Sequence, residues 1–112
     1  LPPEIFMTPA DWSSQEEQIA RHVFDNGRKR SIELLIATLQ DKCQALSSDE
    51  SVWNMHDYLS TERHTFEGRS EFDYNNILFT LADLLKQQLI TLDELKGLDP
   101  KKLAKIKAMS MF

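Results

Sequence analysis

The sequence predicts an all-helical protein in which one long helix is followed by several shorter ones. Only 3 glycines and 4 prolines occur among 112 residues, so the chain contains few residues that impose turns. Apolar residues recur at three- and four-residue steps, which is the period of an amphipathic helix, and strand-like alternation never extends beyond a few residues. The length fits one domain, or a large share of one.

Composition excludes several classes of function. The net charge of −5 argues against a general nucleic-acid binder, which needs clustered cations. No apolar run reaches the ~20 residues of a membrane span, so we expect no membrane insertion. The N-terminus lacks the basic and apolar segments of a signal peptide. The single cysteine, Cys43, cannot form an internal disulfide, and a reducing cytoplasm fits best.

The first residues differ from the rest of the chain. Residues 1–10 contain three of the four prolines and are expected to form no regular structure. We therefore predict an extended or disordered tail over residues 1–12 and a single helical domain over residues 13–112. Two origins remain open for the tail: Met7 is the natural start and is preceded by foreign residues, or the whole segment is native.

The long helix is predicted over residues 14–46. Ser13 or Ser14 serves as the N-cap, and Glu16 and Glu17 place carboxylates in the first turn, where the helix dipole favours them. Gly27 is the weak point, since a glycine inside a helix costs ~1 kcal/mol and can mark a bend or break.

A second helix is predicted from the Ser47 region to Glu67. Ser47 and Glu50 have the spacing of a capping box, in which each side chain bonds the other residue's backbone N–H. Gly68 follows the helix and is expected to be a left-handed C-cap.

Three shorter helices are predicted after that point. Asp73 is expected to cap a third helix whose apolar face carries Tyr74, Ile77, Leu78, Leu81, Leu84 and Leu85. Thr91 and Glu94 form another capping box, which opens a short fourth helix ending at Gly97. Asp99–Pro100 gives a cap followed by proline at the first helical position, so a last helix begins there.

The long helix predicts a homodimer. A helix of ~33 residues is ~50 Å long, whereas a compact chain of this length has a radius of gyration of ~13 Å. The helix should overhang its own domain and require a second copy to cover its apolar stripe. The stripe comprises Ile32, Leu35, Ile36, Leu39, Cys43 and Leu46. The alternative is that Gly27 breaks the helix and its halves fold back as a monomeric bundle.

Trp53 is the first candidate binding residue. At ~100° per residue, Val52, Leu59 and Phe66 cluster on one side of the second helix as its predicted core face. A polar arc surrounds the indole and comprises His56, Asp57, Ser60, Arg63 and His64. Aromatic and arginine side chains are enriched at binding hot spots. The alternative is a boundary tryptophan beside a solvated charged face.

Phe79 and the terminal lysines are further candidates. Phe79 lies ~160° from the centre of the third helix's apolar face and should point outward as an anchor. Alternatively it packs on another helix or on the dimer mate. Lys101, Lys102 and Lys105 share one side of the last helix. They could steer an acidic partner, favour the helix C-terminus or form plain solvated surface.

Enzymatic interpretations have little support in the sequence. Cys43 lies on the apolar stripe, where a thiol serves as packing. The metal-binding helix motifs Glu-x-x-His and His-Glu-x-x-His are absent, as are glycine-rich phosphate loops. His56 and Asp57 are neighbours on a helix and are not expected to face each other. We therefore expect no catalytic residue, no cofactor and no metal.

The segment from Val52 to His64 resembles a known family. It matches the pattern Trp-x-x-His-Asp-aromatic-Leu-Ser-x-x-Arg-His of the cyanobacterial fluorescence recovery proteins. The resemblance extends from about Trp12 to the segment 105–107, which is most of the chain. It implies a dimeric, all-α, non-enzymatic protein with a long helix in the dimer interface and a smaller helical head.

The resemblance also implies a partner. The family binds the photoactivated red form of the orange carotenoid protein, chiefly through that partner's C-terminal domain. It speeds return to the orange form and promotes detachment from the phycobilisome, so that photoprotective quenching ends. The implied location is the cytoplasm near phycobilisomes on the thylakoid surface.

Individual roles follow from the resemblance position by position. The family's functional patch corresponds to Trp53, His56, Asp57 and Arg63, and its further partner contacts correspond to Phe79 and Lys105. Val52 falls where a leucine helps to hold the family's dimer together. The segment 71–76 is less alike, and no role is assigned there.

Two other functions remain open. The first is a generic dimeric helical adaptor or signalling regulator with a different protein partner. The second is a nucleic-acid binder that uses the basic terminal helix, which conflicts with a sequence pI of about 5.1.

Overall fold

The computed structural model describes residues 9–112, and their architecture is all-helical. The α-helices are α1 (Ser14–Gln44), α2 (Asp49–Glu67), α3 (Ile77–Lys86) and α4 (Pro100–Ser110). Two 3₁₀ turns lie at Pro9–Asp11 and Asp93–Leu95. This part of the chain contains no β-strand and has one isolated bridge, between Lys96 and Leu98. The predicted all-α class is confirmed.

The predicted N-terminal tail lies mostly outside the described residues. The expectation that residues 1–10 form no regular structure is wrong at the end of that segment, because a 3₁₀ turn begins at Pro9. Trp12, at the end of the predicted tail, is buried. Within residues 9–112, no helix is long and apolar enough to cross a membrane.

The described residues form two compact units. The core unit comprises residues 9–30 and 72–112, and the hairpin unit comprises residues 31–71. Every buried apolar side chain found in the described chain belongs to the core unit: Trp12, Ala20, Val23, Phe24, Ile77, Leu78, Leu81, Ala82, Leu84, Ile90, Leu95, Leu98 and Ile106. Within the described hairpin unit, only Ser31 is buried. The hairpin unit thus has no apolar core of its own.

Helix α1 is continuous through Gly27, so the predicted long helix is confirmed and is not broken there. It is opened by a reciprocal capping box, in which the Glu16 N–H donates to Ser13 Oγ and the Ser13 N–H to Glu16 Oε1, both at 3.1 Å. A Cβ at Gly27 would lie 2.8 Å from Leu84 Cδ1 and 2.9 Å from Ile90 Cγ2. Close packing against these side chains, rather than a bend in the helix, therefore explains the glycine at this position.

The capping residues of α2 differ from those predicted. The N-cap is Ser48, whose Oγ accepts from the Ser51 N–H at 3.3 Å, while Ser51 Oγ accepts from the Ser48 N–H at 3.0 Å. The predicted Ser47–Glu50 box is therefore displaced by one residue. The helix ends at Glu67 as predicted, but Gly68 has φ −68° and is not left-handed.

The start of α3 is also later than predicted. The Asp73 carboxylate accepts from the Asn75 N–H at 2.9 Å and so closes a turn rather than capping the helix. Tyr74 lies in that turn and joins an aromatic cluster with Trp12 and Phe72, at centroid distances of 5.9 Å and 5.2 Å. Ring packing in the core unit thus holds residues 72–76 out of the helix.

The predicted fourth helix is reduced to one 3₁₀ turn. The Thr91–Glu94 capping box forms as expected, with the Glu94 N–H donating to Thr91 Oγ1 at 3.3 Å and the Thr91 N–H to Glu94 Oε1 at 3.0 Å. The turn ends at Leu95, before Gly97. Gly97 has φ +107°, and a Cβ there would lie 2.6 Å from Ile19 Cδ1. Only glycine fits this left-handed, closely packed position.

The last helix begins as predicted. The Asp99 side chain accepts from the Lys101 N–H at 2.8 Å, and Pro100 occupies the first turn. Lys102 departs from the prediction, because its side chain is only 8% exposed and does not belong to a surface patch. Its Nζ donates to the Asp11 carbonyl at 2.6 Å and to Glu16 Oε1 at 2.9 Å.

Candidate protein-docking surfaces

One stripe of α2 is partly buried, and its residue Tyr58 contacts α1. The partly buried side chains of α2 are Ser51, Met55, Tyr58, Glu62 and Phe66. Their three- and four-residue spacing places them on one stripe of the helix. The Lys42 ammonium of α1 lies 4.5 Å from the centre of the Tyr58 ring. The predicted core face was therefore wrong in part: Phe66 belongs to the partly buried stripe, whereas Val52 and Leu59 are exposed.

Trp53 lies opposite that partly buried stripe. At ~100° per residue it is about 180° from Glu62 around α2, so the indole points away from α1. It is 64% exposed. Asp57 and His64 follow at positions four and eleven residues later and share its side of the helix. We name this side, comprising Trp53, Asp57, Ser60, His64 and Glu67, the tryptophan face.

Two exposed polar pairs lie on the same half of α2 as the indole, one next to it and one about 15–21 Å further along the helix. His56 Nδ1 lies 3.2 Å from Asp57 Oδ1, and both side chains are exposed. The expectation that these neighbouring side chains do not face each other is therefore wrong. Arg63 Nε donates to Glu67 Oε1 at 2.8 Å. Both pairs are more than 60% exposed, so neither provides a pocket that excludes water from a reaction.

The predicted dimer stripe is largely uncovered. Of the stripe on α1 and the following loop, Ile32, Ile36 and Leu46 are 40–51% exposed, and Leu35 and Leu39 are half-buried. Val52, the other predicted interface residue, is 44% exposed, and Leu59, which was predicted to be in the core, is 41% exposed. Cys43, the remaining residue of the predicted stripe, is likewise exposed in the single chain. A shallow groove of about 590 Å³ runs along α1 beside Leu39 and Cys43.

These apolar side chains occupy one flank of each helix of the hairpin unit. On α1, Ile32, Ile36 and Cys43 follow the partly buried stripe by about 70–110°, and on α2, Val52 and Leu59 follow the partly buried stripe by about 60–80°. We name the two flanks together the apolar face: Ile32, Ile36, Leu39, Cys43, Leu46, Val52 and Leu59.

Phe79 and Lys105 belong to the core unit. Phe79 is 36% exposed on α3, as the helical wheel predicts, although the flanking residues Leu78 and Thr80 are buried. Lys105 is half-buried on α4 and lines a cavity of about 190 Å³ with Asp11, Asp99, Lys101 and Lys102. Trp53, His56, Asp57 and Arg63 lie together on α2.

Sequence reasoning did not find the ion pair between Glu16 and Lys102. Burial by itself raises the pKa of Glu16, but hydrogen bonds from Lys102 Nζ and from the Asp99 and Ser13 N–H groups, together with the Lys102 charge, outweigh it and lower the pKa to about 2. Glu16 and Lys102 are 86 residues apart in the sequence, and no sequence pattern indicates that these two residues pair. Among residues 9–112, no group of three His, Cys, Asp or Glu side chains could hold a metal ion.

The fold and these surfaces define a small helical protein with two exposed faces suited to contact with other proteins. The chain belongs to the family of the photoprotection regulator fluorescence recovery protein, whose family model matches residues 12–110. The segment around Trp53 therefore lies within the matched region.

Individual relatives agree with that family. The chain is 35% identical over 101 residues to the fluorescence recovery protein of Synechocystis sp. PCC 6803, which covers 90% of this chain and 93% of the relative. The structure of the fluorescence recovery protein from Fremyella diplosiphon matches with a TM-score of 0.81 at 38% identity, over 90% of this chain and 99% of that chain. The Synechocystis structure matches with a TM-score of 0.80 at 34% identity, with the same coverage.

Proposed function

We propose that this protein binds the photoactivated red form of the orange carotenoid protein, mainly through that partner's C-terminal domain, and accelerates its return to the orange form. It thereby promotes detachment from the phycobilisome and ends photoprotective quenching. It acts without catalytic chemistry, in the cytoplasm near phycobilisomes on the thylakoid surface. The observation that carries the proposal is the exposed indole of Trp53 among ionic side chains, in a chain of the fluorescence recovery protein family.

The proposed contacts divide by chemistry. Trp53 and Phe79 supply exposed apolar anchors, and aromatic anchors of this kind contribute most of the affinity at many interfaces. Asp57, Arg63 and Lys105 orient the partner by charge, with His56 beside Asp57. Such contacts favour one state of the partner only if that state presents complementary surface, so the red form must bind more tightly than the orange form.

Acceleration then follows from tethering. A regulator that contacts both separated domains of the partner converts their reunion into an intramolecular step and raises their effective concentration. Binding must be stronger in the closing transition state than in the open state, since uniform binding of both gives no acceleration.

The reversion assay tests the proposal directly. Orange carotenoid protein is converted to its red form by light, and its dark return is followed by absorbance with and without this protein. We expect Arg63→Leu to slow the return relative to the unmodified protein, because it removes a proposed charged contact from the helix that carries the indole. Arg28→Leu, the same change at an exposed arginine of α1, is the matched control. Equal kinetics for Arg63→Leu and the unmodified protein would remove Arg63 from the site.

We further propose that two copies pair through the apolar face. Covering side chains that are 40–51% exposed contributes ~1 kcal/mol each, about half the value for full burial. Five such side chains on each copy therefore offer ~10 kcal/mol to a symmetric pair before the cost of association. The absence of any fully buried apolar residue in the described hairpin unit supports the same proposal.

A charge on the apolar face tests the pairing. Val52→Glu should give monomers in light scattering after size exclusion, because a dimer would bury an unpaired carboxylate. Asn54→Glu introduces the same charge on the opposite flank of α2 and should leave the oligomeric state unchanged. An intact dimer with Val52→Glu would place the interface elsewhere.

A further inference from the structure

The negative charge of the described chain is concentrated in the hairpin unit. Residues 31–71 carry eight acidic and three basic side chains, a net charge of −5. Residues 9–30 and 72–112 carry nine acidic and ten basic side chains, a net charge of +1. The unit that exposes Trp53 is thus strongly acidic, whereas the core unit is nearly neutral.

Carboxylates also surround the indole locally. On α2, Asp49, Glu50 and Asp57 lie within about 60° of Trp53 around the helix axis and within about 6 Å of it along the axis. Arg63, the one arginine of α2, lies about 15 Å further along the axis and bonds the Glu67 carboxylate at 2.8 Å. The indole therefore stands in a negative potential that this arginine offsets little.

The side chains that define the apolar face include no carboxylate, although Asp41 lines the adjoining groove along α1. Its α2 flank is bordered by His56 and Arg63, and its α1 side chains are aliphatic apart from the Cys43 thiol. Val52 lies about 100° from Trp53 around α2, so the apolar face and the tryptophan face are different sides of the helix.

We propose that the tryptophan face docks on a basic protein surface in which lysine or arginine side chains surround an apolar pocket for the Trp53 indole. An arginine beside the indole gains a cation–π interaction as well as the attraction of the carboxylates. The same potential repels nucleic-acid phosphates and anionic lipid surfaces, so the occupant is a protein. This inference rests on the proposed function and specifies the surface of the carotenoid protein that meets α2.

Salt dependence tests the inference. Association with light-converted orange carotenoid protein is measured by stopped-flow at NaCl concentrations from about 20 mM to about 300 mM, which shortens the screening length from about 20 Å to about 6 Å. We expect the association rate constant to fall by about tenfold over this range, as for other electrostatically steered pairs. A rate that is unchanged or that rises with salt overturns the inference.

Charge variants locate the effect. Asp57→Lys should lower the association rate about three- to tenfold at low salt and less than twofold at high salt. Glu33→Lys makes the same change in net charge on α1, outside the tryptophan face, and should have a smaller effect. Equal effects of the two variants would show that only total charge matters and would overturn the assignment to this face. Circular dichroism confirms that each variant is folded.

The outcomes separate this inference from the proposed function. If the protein speeds the return to the orange form but neither salt nor Asp57→Lys changes its association, the charge inference fails and the proposed function stands. If no binding occurs at any salt concentration, both fail.

Discussion

Replacing Glu16 by glutamine should destabilise the core unit in a pH-dependent manner. The Glu16 carboxylate receives Lys102 Nζ at 2.9 Å and the Asp99 N–H at 2.8 Å, and its side chain is only 12% exposed. Glutamine preserves the shape of the side chain but removes its charge, which leaves the Lys102 ammonium without its counter-ion in a site that is 8% exposed.

The magnitude follows from the lowered pKa. A folded pKa of about 2 against an ordinary value of 4.5 corresponds to ~3 kcal/mol, which screening by nearby water reduces to about 2 kcal/mol. Because the folded pKa lies below the unfolded one, this contribution is fully present above about pH 5. It decreases as the pH falls from 4.5 toward 2 and is absent below that range.

Urea unfolding at pH 7 and at pH 3, with a fixed protein concentration, measures the effect. The free energy of unfolding of Glu16→Gln should be about 2 kcal/mol below that of the unmodified protein at pH 7, and the difference should shrink by half or more at pH 3. Glu33→Gln, at an exposed position of α1, is the control and should change stability by less than about 0.5 kcal/mol. A difference that is absent at pH 7 or equal at both pH values would refute the reasoning.

Two backbone positions give further predictions. Gly27→Ala should lower the free energy of unfolding by ~1–2 kcal/mol, because its Cβ would lie 2.8 Å from the buried Leu84 side chain. This cost should exceed the gain from the better helix propensity of alanine. A higher urea midpoint would show that the core side chains move to accommodate the methyl group. Gln88 has φ +62°, so Gln88→Gly should raise the free energy of unfolding by about 0.5–1 kcal/mol, and a lower urea midpoint would contradict strain at this residue.

Local hydrogen bonding explains which elements could be predicted from the sequence. The start of α1 at Ser14 and the start of α4 at Pro100 were found because their caps are set within four residues. The Thr91–Glu94 box was also found, but its helix is only one 3₁₀ turn long. Packing against Ile19 fixes Gly97 in a left-handed conformation there, and no pattern in residues 91–97 records that contact.

The candidate site was predictable in composition but not in orientation. The helical periodicity placed Trp53 at the boundary between the apolar and polar sides of its helix and pointed Phe79 outward, and both side chains are exposed. The same periodicity assigned Val52 and Leu59 to the core, although both are exposed in this chain. Periodicity identifies an apolar stripe, but it cannot distinguish a stripe covered by the same chain from one left for another molecule. Lys102 shows the opposite error, since an apparent surface lysine is buried against an acid far away in sequence.

The uneven distribution of the core links stability to association. Because every buried apolar side chain of the described residues lies in the core unit, packing within one chain holds that unit together, whereas the hairpin unit depends on contacts beyond its own two helices. If two copies pair through the apolar face as proposed, each stabilises the hairpin unit of the other by mass action, and the order of α2 should rise with protein concentration. The indole of Trp53 is presented by that same helix. Under the proposed pairing, the second copy therefore acts at the docking surface by holding in place the helix that carries the indole.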